Sequence, residues 1–548
     1  MSKKYAIGID FGTLSARAVL VCTDNGEVIA SAVSEYAHKV MERELPCGIK
    51  LKPDSALQHP QDYLDALHET VGTVLRESGV SADDIVGVAT DFTSSTVFPI
   101  DSDGTPLCFK EEYQSSPHAY AKMWKDHTSH EYSERLRTLS EERGEAFLGD
   151  YSGKISSEWL IPKLAAIAVE DESLYNDTAK YIEAGDFIVM KLTGSMSTSS
   201  GNAGFKALWN SDSGFPSGEL LHTAYPDIKG DLREKIVTNV LPVGSIAGYV
   251  DRDGALLTGL CEGTPVCVNM IDAHAAIPAV GITAPGKLLM IMGTSTCHLA
   301  MSKEKKKCKG VTGVVKDGFV HGYYAYEAGQ NCVGDCFDWF VTHMVPAEYT
   351  KEAQTRDIGI HALLSEKAEK KRAGENGLLA LDWWNGCRSD LLNDRLSGMI
   401  LGMNLSTRAE DIYRALIEAT AFGTRLICEN YRSAGIIFDE IIASGGIAKK
   451  NPLMMQIYAD IVGTPIHIAE TDQAGALGCA VMAAAAGSAW RNITEAAQAM
   501  VKPCVKTYYP NPESTCVYDK LYAEYVRMHD ILSEDDSPTS LLYSLRTS

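Results

Sequence analysis

Twice along this chain a strand runs into a Gly-Thr turn and returns as a second strand. The first instance is "IGIDFGTLSAR" at residues 7–17, and the second is "KLLMIMGTSTCHLAMS" at 287–302. Each is followed by an amphipathic helix and then a strand that ends in a polar or glycine loop. Residues 61–78 put Leu64, Leu67, Val71 and Leu75 at helical spacing. Residues 410–433 put Ile412, Leu416, Ala419, Gly423, Leu426 and Ile427 on one helical face. The closing strands are "IVGVATD", with the loop "FTSST", and "AGIIFDEIIAS", with the loop "GGIAKKN". A plan repeated by pattern rather than by identity predicts two α/β halves, each a sheet covered by helices, with a ligand cleft between them. The expected division falls near "PVCVNMIDAHAA", giving units 1–268 and 269–548. The stretch from 100 to 260 lacks the repeated plan and is rich in Trp, Tyr, Lys and Asp, so it reads as an insertion that builds a specific surface.

Length and charge narrow the function. A chain of 548 residues exceeds one ordinary domain. The formal charge of −22 argues against a nucleic-acid partner, because a phosphate backbone demands a basic face. It leaves room for a small phosphate ligand held by backbone N–H groups, one or two cations and a magnesium ion. The start "MSKKYAIGIDFG" has no signal-like apolar stretch, and "CAVMAAAAGSAW" is too short to span a bilayer, so no membrane partner is expected. Fourteen cysteines occur without a C-x-x-C pair, which predicts free thiols and a cytoplasmic protein.

The Gly-Thr turns can aim backbone N–H groups and a hydroxyl at one polyphosphate from two sides. Asp10 ends the first strand, where a magnesium ion carried by a nucleotide would approach it, usually through water. No Walker A loop is present, since "SGKIS" and "PGKLL" lack its spacing or its hydroxyl. "ASGGIAKKN" follows a strand and opens the helix "PLMMQIYADIVG", allowing a ligand close to the backbone. "DQAGALGCAVMAAAAG" predicts a small-residue helix suited to close packing.

These motifs resemble the phosphate and adenosine loops of the superfamily that unites sugar kinases, actin and the heat-shock chaperone ATPases. Within it the whole chain resembles the FGGY carbohydrate kinases. "DFTSST", "MWKDHT", "SSEWLIPK", "GFKALW", "IDAHAA", "GTSTCH", "YEAGQNCVGD" and "DWWNGCRS" are most similar, in order and spacing, to the members that phosphorylate L-ribulose.

The resemblance implies a two-domain actin-like ATPase (ribonuclease H-like) fold, with ATP and Mg2+ in the cleft and a ketopentose held mainly by the first half. It makes Asp272 the catalytic base. It puts Ser94, Lys206 and Glu327 on sugar hydroxyls, Ser94 through its backbone, with Trp124 and Asp126 nearby. Gly12, Thr13, Ser15, Arg17, Gly293 and Thr294 would hold phosphates, with Asp10 toward the metal. Gly445, Gly446 and Asn451 would hold adenosine. A homo-oligomer, with a dimer favoured, is also expected.

Phosphoryl transfer needs in-line positioning, charge neutralisation and a late proton acceptor, and a carboxylate at a strand end suits the last role. Two alternatives stand beside it: Asp272 as a helix N-cap, and His274 as a rival base. The Trp-rich "LDWWNGCRS" reads as core or interface. Other functional readings are a kinase for another pentulose or polyol, a chaperone- or filament-type ATPase, and a glycoside hydrolase. The hydrolase would have no use for two phosphate hairpins.

Overall fold

The computed structural model describes residues 4–393, 395–534 and 537–547. Two large sheets organise it. The first runs Val28–Glu35, Ser15–Cys22, Tyr5–Phe11, Ile85–Phe92, Pro265–Cys267, Ile246–Tyr249, with Met270–Ile271 also pairing with Ile85–Phe92. The second runs Gly313–Lys316, Tyr324–Gln330, Thr296–Ser302, Gly286–Met292, Phe438–Ser444, Ile466–Ile468, Lys506–Tyr508.

The same wiring underlies both. Each hairpin is antiparallel, and its first strand lies parallel to the strand that follows the long helix. In the first sheet Asp10 pairs with Asp91, and at the matching place in the second Ile291 pairs with Ser444. The central strands read as apolar runs because helices cover both faces.

The helices lie where their periodicity puts them. The first is Pro60–Ser78; His59 caps it and Pro60 starts it, where a missing N–H costs nothing. The second is Ala409–Ser433. The glycine loop at 445–451 differs from the expected open loop, because Gly446–Lys450 forms a short helix before Pro452–Val462 begins. Lys449 fastens that turn by bonding Asp472 at 2.5 Å.

Other residues between the two hairpins form a separate layer. Short strands Leu57–Gln58, Ala121–Lys122, Val97–Ile100 and Lys180–Glu183 make a four-stranded sheet. Beside it Leu136, Trp159, Leu164, Tyr181 and Leu220 pack in a core of their own.

One element ties the two halves together. The small-residue helix Ala474–Ala486 lies in sequence between the last two strands of the second sheet, yet it packs on Tyr5–Phe11 and Ile85–Phe92 of the first. A side-chain carbon at Gly8 would land on the Ala476 carbonyl, so only glycine lets helix and strand approach this closely. All fourteen cysteines are free thiols. Among the described residues no helix is long and apolar enough to cross a membrane.

Candidate active site

Three carboxyl groups meet at one edge of the first sheet, and strand pairing brings them there. Asp10 lies beside Asp91 in register, and Met270–Ile271 pairs with Asp91 and Phe92, so Asp272 emerges next to both. Burial raises the Asp10 pKa, against the opposing pull of Asp91 and Arg17. Asp91 is fully buried, and burial followed by repulsion from Asp10 and Asp272 raises its pKa well above the usual carboxylate range. Its Oδ2 accepts from the Cys479 thiol at 3.2 Å, while Oδ1 has no hydrogen-bond partner. The start of the crossing helix reaches this edge: a side-chain carbon at Gly475 would lie 2.9 Å from Asp91 Oδ2.

Asp272 is half-buried, and burial, then Asp10, pushes its pKa up to about 7, with Lys206 opposing. Ile271 occupies the N-cap, so the alternative that made Asp272 the cap gives way. Asp272 is the first residue of the helix Asp272–Ala279, and its carboxylate accepts the Ala273 N–H at 2.7 Å.

Glu327 holds the centre of a second cluster. Its Oε1 accepts from Arg388 Nη2 at 2.8 Å and Thr312 Oγ1 at 3.1 Å, with Lys206 Nζ at 3.7 Å. Its Oε2 lies 2.8 Å from His274 Nε2. Burial favours the neutral acid, yet Lys206, the His274 bond and Arg388 hold the Glu327 pKa well below the ordinary carboxylate range. Burial pulls the His274 pKa down, against Glu327, and the ring is enclosed by Phe205 and Phe319. With Nε2 engaged by Glu327, His274 fits an orienting role better than that of a base. Lys206 ends the helix Ser200–Lys206 of the first half and Glu327 lies on a strand of the second, so this buried pair joins the two halves.

The two loops expected to meet sugar lie together. Ser94 follows the end of Ile85–Phe92, and Trp124 follows the short strand Ala121–Lys122, whose Lys122 pairs with Val97. Trp124 is 40% exposed. Asp126 is fully buried, and its oxygens accept from Ala56 N–H at 3.0 Å and Thr128 Oγ1 at 2.6 Å. Burial pushes its pKa up, but Lys122, Lys163 and those bonds outweigh it and leave the carboxyl below its ordinary value. Asp126 therefore shapes the loop that carries Trp124. Between the loops lies the buried Lys163, whose ammonium donates to the carbonyls of Ser95 at 2.7 Å, Met123 at 2.9 Å and Lys122 at 3.2 Å.

The hairpins are fixed from outside. In the first, Gly12 N–H donates to Ser15 O at 3.0 Å. Gln58 Nε2 donates to Thr13 O at 2.7 Å, and Gln58 Oε1 accepts from the Tyr63 hydroxyl at 2.9 Å. Arg17 lies across from Asp10 in the strand pair, and its buried Nε has no partner. In the second, Gly293 N–H donates to Ser295 O at 2.9 Å, while Val333 and Gly334 N–H reach Thr294 O and Gly293 O. Gly445, at φ 99°, presses against the Met292 carbonyl, and a β-carbon there would clash. Gly446 starts the short helix. Asn451 caps Pro452–Val462 through its Oδ1, which accepts Met454 N–H at 3.1 Å.

Asp91, Lys163, Arg388 and Gln58 carry no role in the sequence reading. Asp91 ends a strand just as Asp10 does, and Lys163 and Arg388 lie inside quoted motifs, so position gave a signal for three of the four. Of the Trp pair, Trp383 is buried core as expected.

Two sheets of identical wiring, a phosphate-type hairpin on each and carboxylates at one strand edge define a phosphotransferase of the carbohydrate-kinase class. Residues 5–279 match the N-terminal domain, and 288–487 the C-terminal domain, of the FGGY family of carbohydrate kinases. The chain belongs to that family. It is 48% identical to a ribulokinase of Bacillus licheniformis, over 97% of this chain and 98% of that protein. It is 46% identical to a ribulokinase of Halalkalibacterium halodurans, over 97% and 95%. Among solved structures, a xylulose kinase from Rhodospirillum rubrum shares the fold, with a TM-score of 0.80 at 24% identity over 96% of this chain and 99% of that one. As a carbohydrate kinase, the protein uses ATP and a small-molecule sugar.

Proposed function

We propose that this enzyme transfers the terminal phosphoryl group of ATP to a ketopentose, with L-ribulose the favoured substrate and L-ribulose 5-phosphate the product. That would place it in L-arabinose catabolism. The observation that carries the chemistry is Asp272, a half-buried carboxylate at the strand ends beside Asp10 and Asp91. The relatives named ribulokinase, similar over nearly the whole chain, support the choice of sugar.

In this reading the sugar hydroxyl donates its proton to the Asp272 carboxylate as its oxygen attacks phosphorus, and ADP leaves along the same line. Lys206 can only donate and ionised Glu327 can only accept, so the pair reads the direction of sugar hydroxyls. Oε2 of Glu327 meets only His274 and keeps acceptor capacity. Ser94 contributes backbone, Trp124 an exposed aromatic face, and Asp126 the loop that presents it. Gly12, Thr13, Ser15 and Arg17 face the phosphates from one side, Gly293 and Thr294 from the other, with Gly445, Gly446 and Asn451 around adenosine.

The donor set fits a magnesium ion arriving with the nucleotide. Asp10 and the unpartnered Oδ1 of Asp91 are acceptors without a nearby protein cation beyond Arg17. Such an ion, held through water, neutralises phosphate charge. Among the described residues no three His, Cys, Asp or Glu side chains form a full metal cage, and a water-mediated ion needs none.

Units 1–268 and 269–548, a cytoplasmic location and a homodimer complete the proposal. Met403 and Leu405, exposed on one surface run, support self-association. ADP release measured across ketopentoses, aldopentoses, polyols and hexoses tests the substrate. Turnover independent of any sugar, or fastest with a polyol, would replace L-ribulose.

A further inference from the structure

We propose that Lys163 is a positioning residue for the sugar site: its ammonium clamps the loop of Ser94 to the loop of Trp124 and so sets which sugar the enzyme accepts. The inference rests on the assignment of those two loops to the sugar.

Lys163 is costly where it stands. It is fully buried and lies in the first turn of the helix Leu160–Glu170, where the helix dipole disfavours a positive charge. A cation there does nothing for helix or core. It has no carboxylate in contact; Asp126, Glu158 and Glu183 act on it only at a distance. What it does have is three main-chain carbonyls for its three hydrogens, from Ser95, Met123 and Lys122. Only an ammonium offers three donors from one atom.

Its partners adjoin the proposed sugar contacts. Ser95 follows Ser94 and has φ 54°, a left-handed conformation that a serine holds only when its surroundings impose it. Met123 precedes Trp124, whose ring is exposed and so takes its direction from its backbone. One atom thus fixes the spacing between a backbone contact on one loop and an aromatic face on the other.

The test is kinetic, on the full-length enzyme. Lys163→Met keeps the stem and removes every donor; Lys163→Gln keeps two neutral ones. Loss of alignment of this kind costs up to about 10²-fold, so the KM for the sugar is expected to rise about tenfold or more in Lys163→Met and less in Lys163→Gln. The KM for ATP stays within about twofold. The decisive readout is the ratio of kcat/KM for the best ketopentose to that for its epimers, which is independent of how much enzyme has folded. A ratio that falls severalfold upholds the clamp, and an unchanged ratio overturns it.

If neither variant is soluble, amide hydrogen exchange on the unaltered enzyme decides. Peptides covering 92–97 and 121–127 are expected to gain protection together on adding the sugar and not on adding the nucleotide. Protection of one without the other overturns the clamp. Trp124→Ala, run alongside, separates this inference from its premise, because Trp124 lies on one of the two loops themselves. A shift in the ATP constant there refutes the sugar assignment itself. A shift in the sugar constant, with the Lys163 ratio unmoved, refutes the clamp alone.

Discussion

The two hairpins share one wiring and differ in what their strands end on. In the first half the paired strand ends are Asp10 and Asp91, with Asp272 beside them; in the second the matching pair is Ile291 and Ser444. The same wiring thus carries a Gly-Thr turn in each half but an acidic edge in only one. Opposed acidic edges would have met the polyanionic nucleotide with like charge from both sides. The neutral second edge instead leaves Gly445 free to press on the hairpin backbone, in a shape suited to an adenosine pocket. In the proposed reading the acidic edge of the first half takes the proton and the metal, both hairpins face the phosphates, and the second half holds adenosine.

The sharpest way to break that division is Asp272→Asn, which keeps shape but cannot take a proton. Its expected cost is about 10²–10⁴-fold in kcat, with much less change in sugar affinity. Turnover within a few-fold of the unaltered enzyme would strip the acidic edge of its role.

Next come Lys206→Met and Glu327→Gln. Losing a charged hydrogen-bonding arm costs about 1.5–3 kcal/mol, or roughly 10- to 150-fold in the KM for sugar with that for ATP nearly constant. Steady-state kinetics with each substrate varied checks it. Movement of the ATP constant alone would put the pair on the nucleotide side.

A smaller effect contrasts two glycines. Gly445→Ala, strained by φ and by the Met292 carbonyl, is expected to raise the KM for ATP about tenfold through about 1–3 kcal/mol of displacement. Gly475→Ala, crowding Asp91 and Asp10, is expected to lower kcat and raise the magnesium requirement instead. Identical kinetic signatures for the two would erase the division.

The mildest effect is that of pH. With Asp272 near a pKa of about 7, kcat/KM rises through that pH and gains only about twofold between pH 7 and 8. Its linkage to stability has the opposite sense. A raised carboxyl pKa favours the folded state below the ordinary value of 3.8, and the contribution is lost as pH climbs through about 7. A pH–rate profile and denaturant titrations across the same range measure both.

Local pattern carried a great deal. The helix expected at 410–433 is Ala409–Ser433, and both hairpins lie where their turns predict, because apolar period and Gly-Thr chemistry are local signals. The four-stranded sheet was not legible, since Leu57–Gln58, which precedes the insertion, and Ala121–Lys122, which lies in it, are two residues long and show no alternation. Nor was Arg388 legible as a partner of Glu327. It is sixty-one positions away, a proximity that only tertiary packing creates, whereas the family resemblance already put Lys206 and Glu327 on one sugar. Asp91 was visible as a strand end, but its meeting with Asp10 and Asp272 depends on which strands pair.

The crossing helix carries a consequence for how the protein is made. The face of the first sheet that Ala474–Ala486 covers belongs to strands synthesised near the start of the chain. At typical elongation rates of about 5–20 residues per second, that surface waits about 20–90 s for its cover. During that interval the nascent first half shows an apolar face with Gly8 open to any passing backbone. Dependence on chaperones should therefore track translation speed between the two hairpins, even in variants whose finished stability is unchanged.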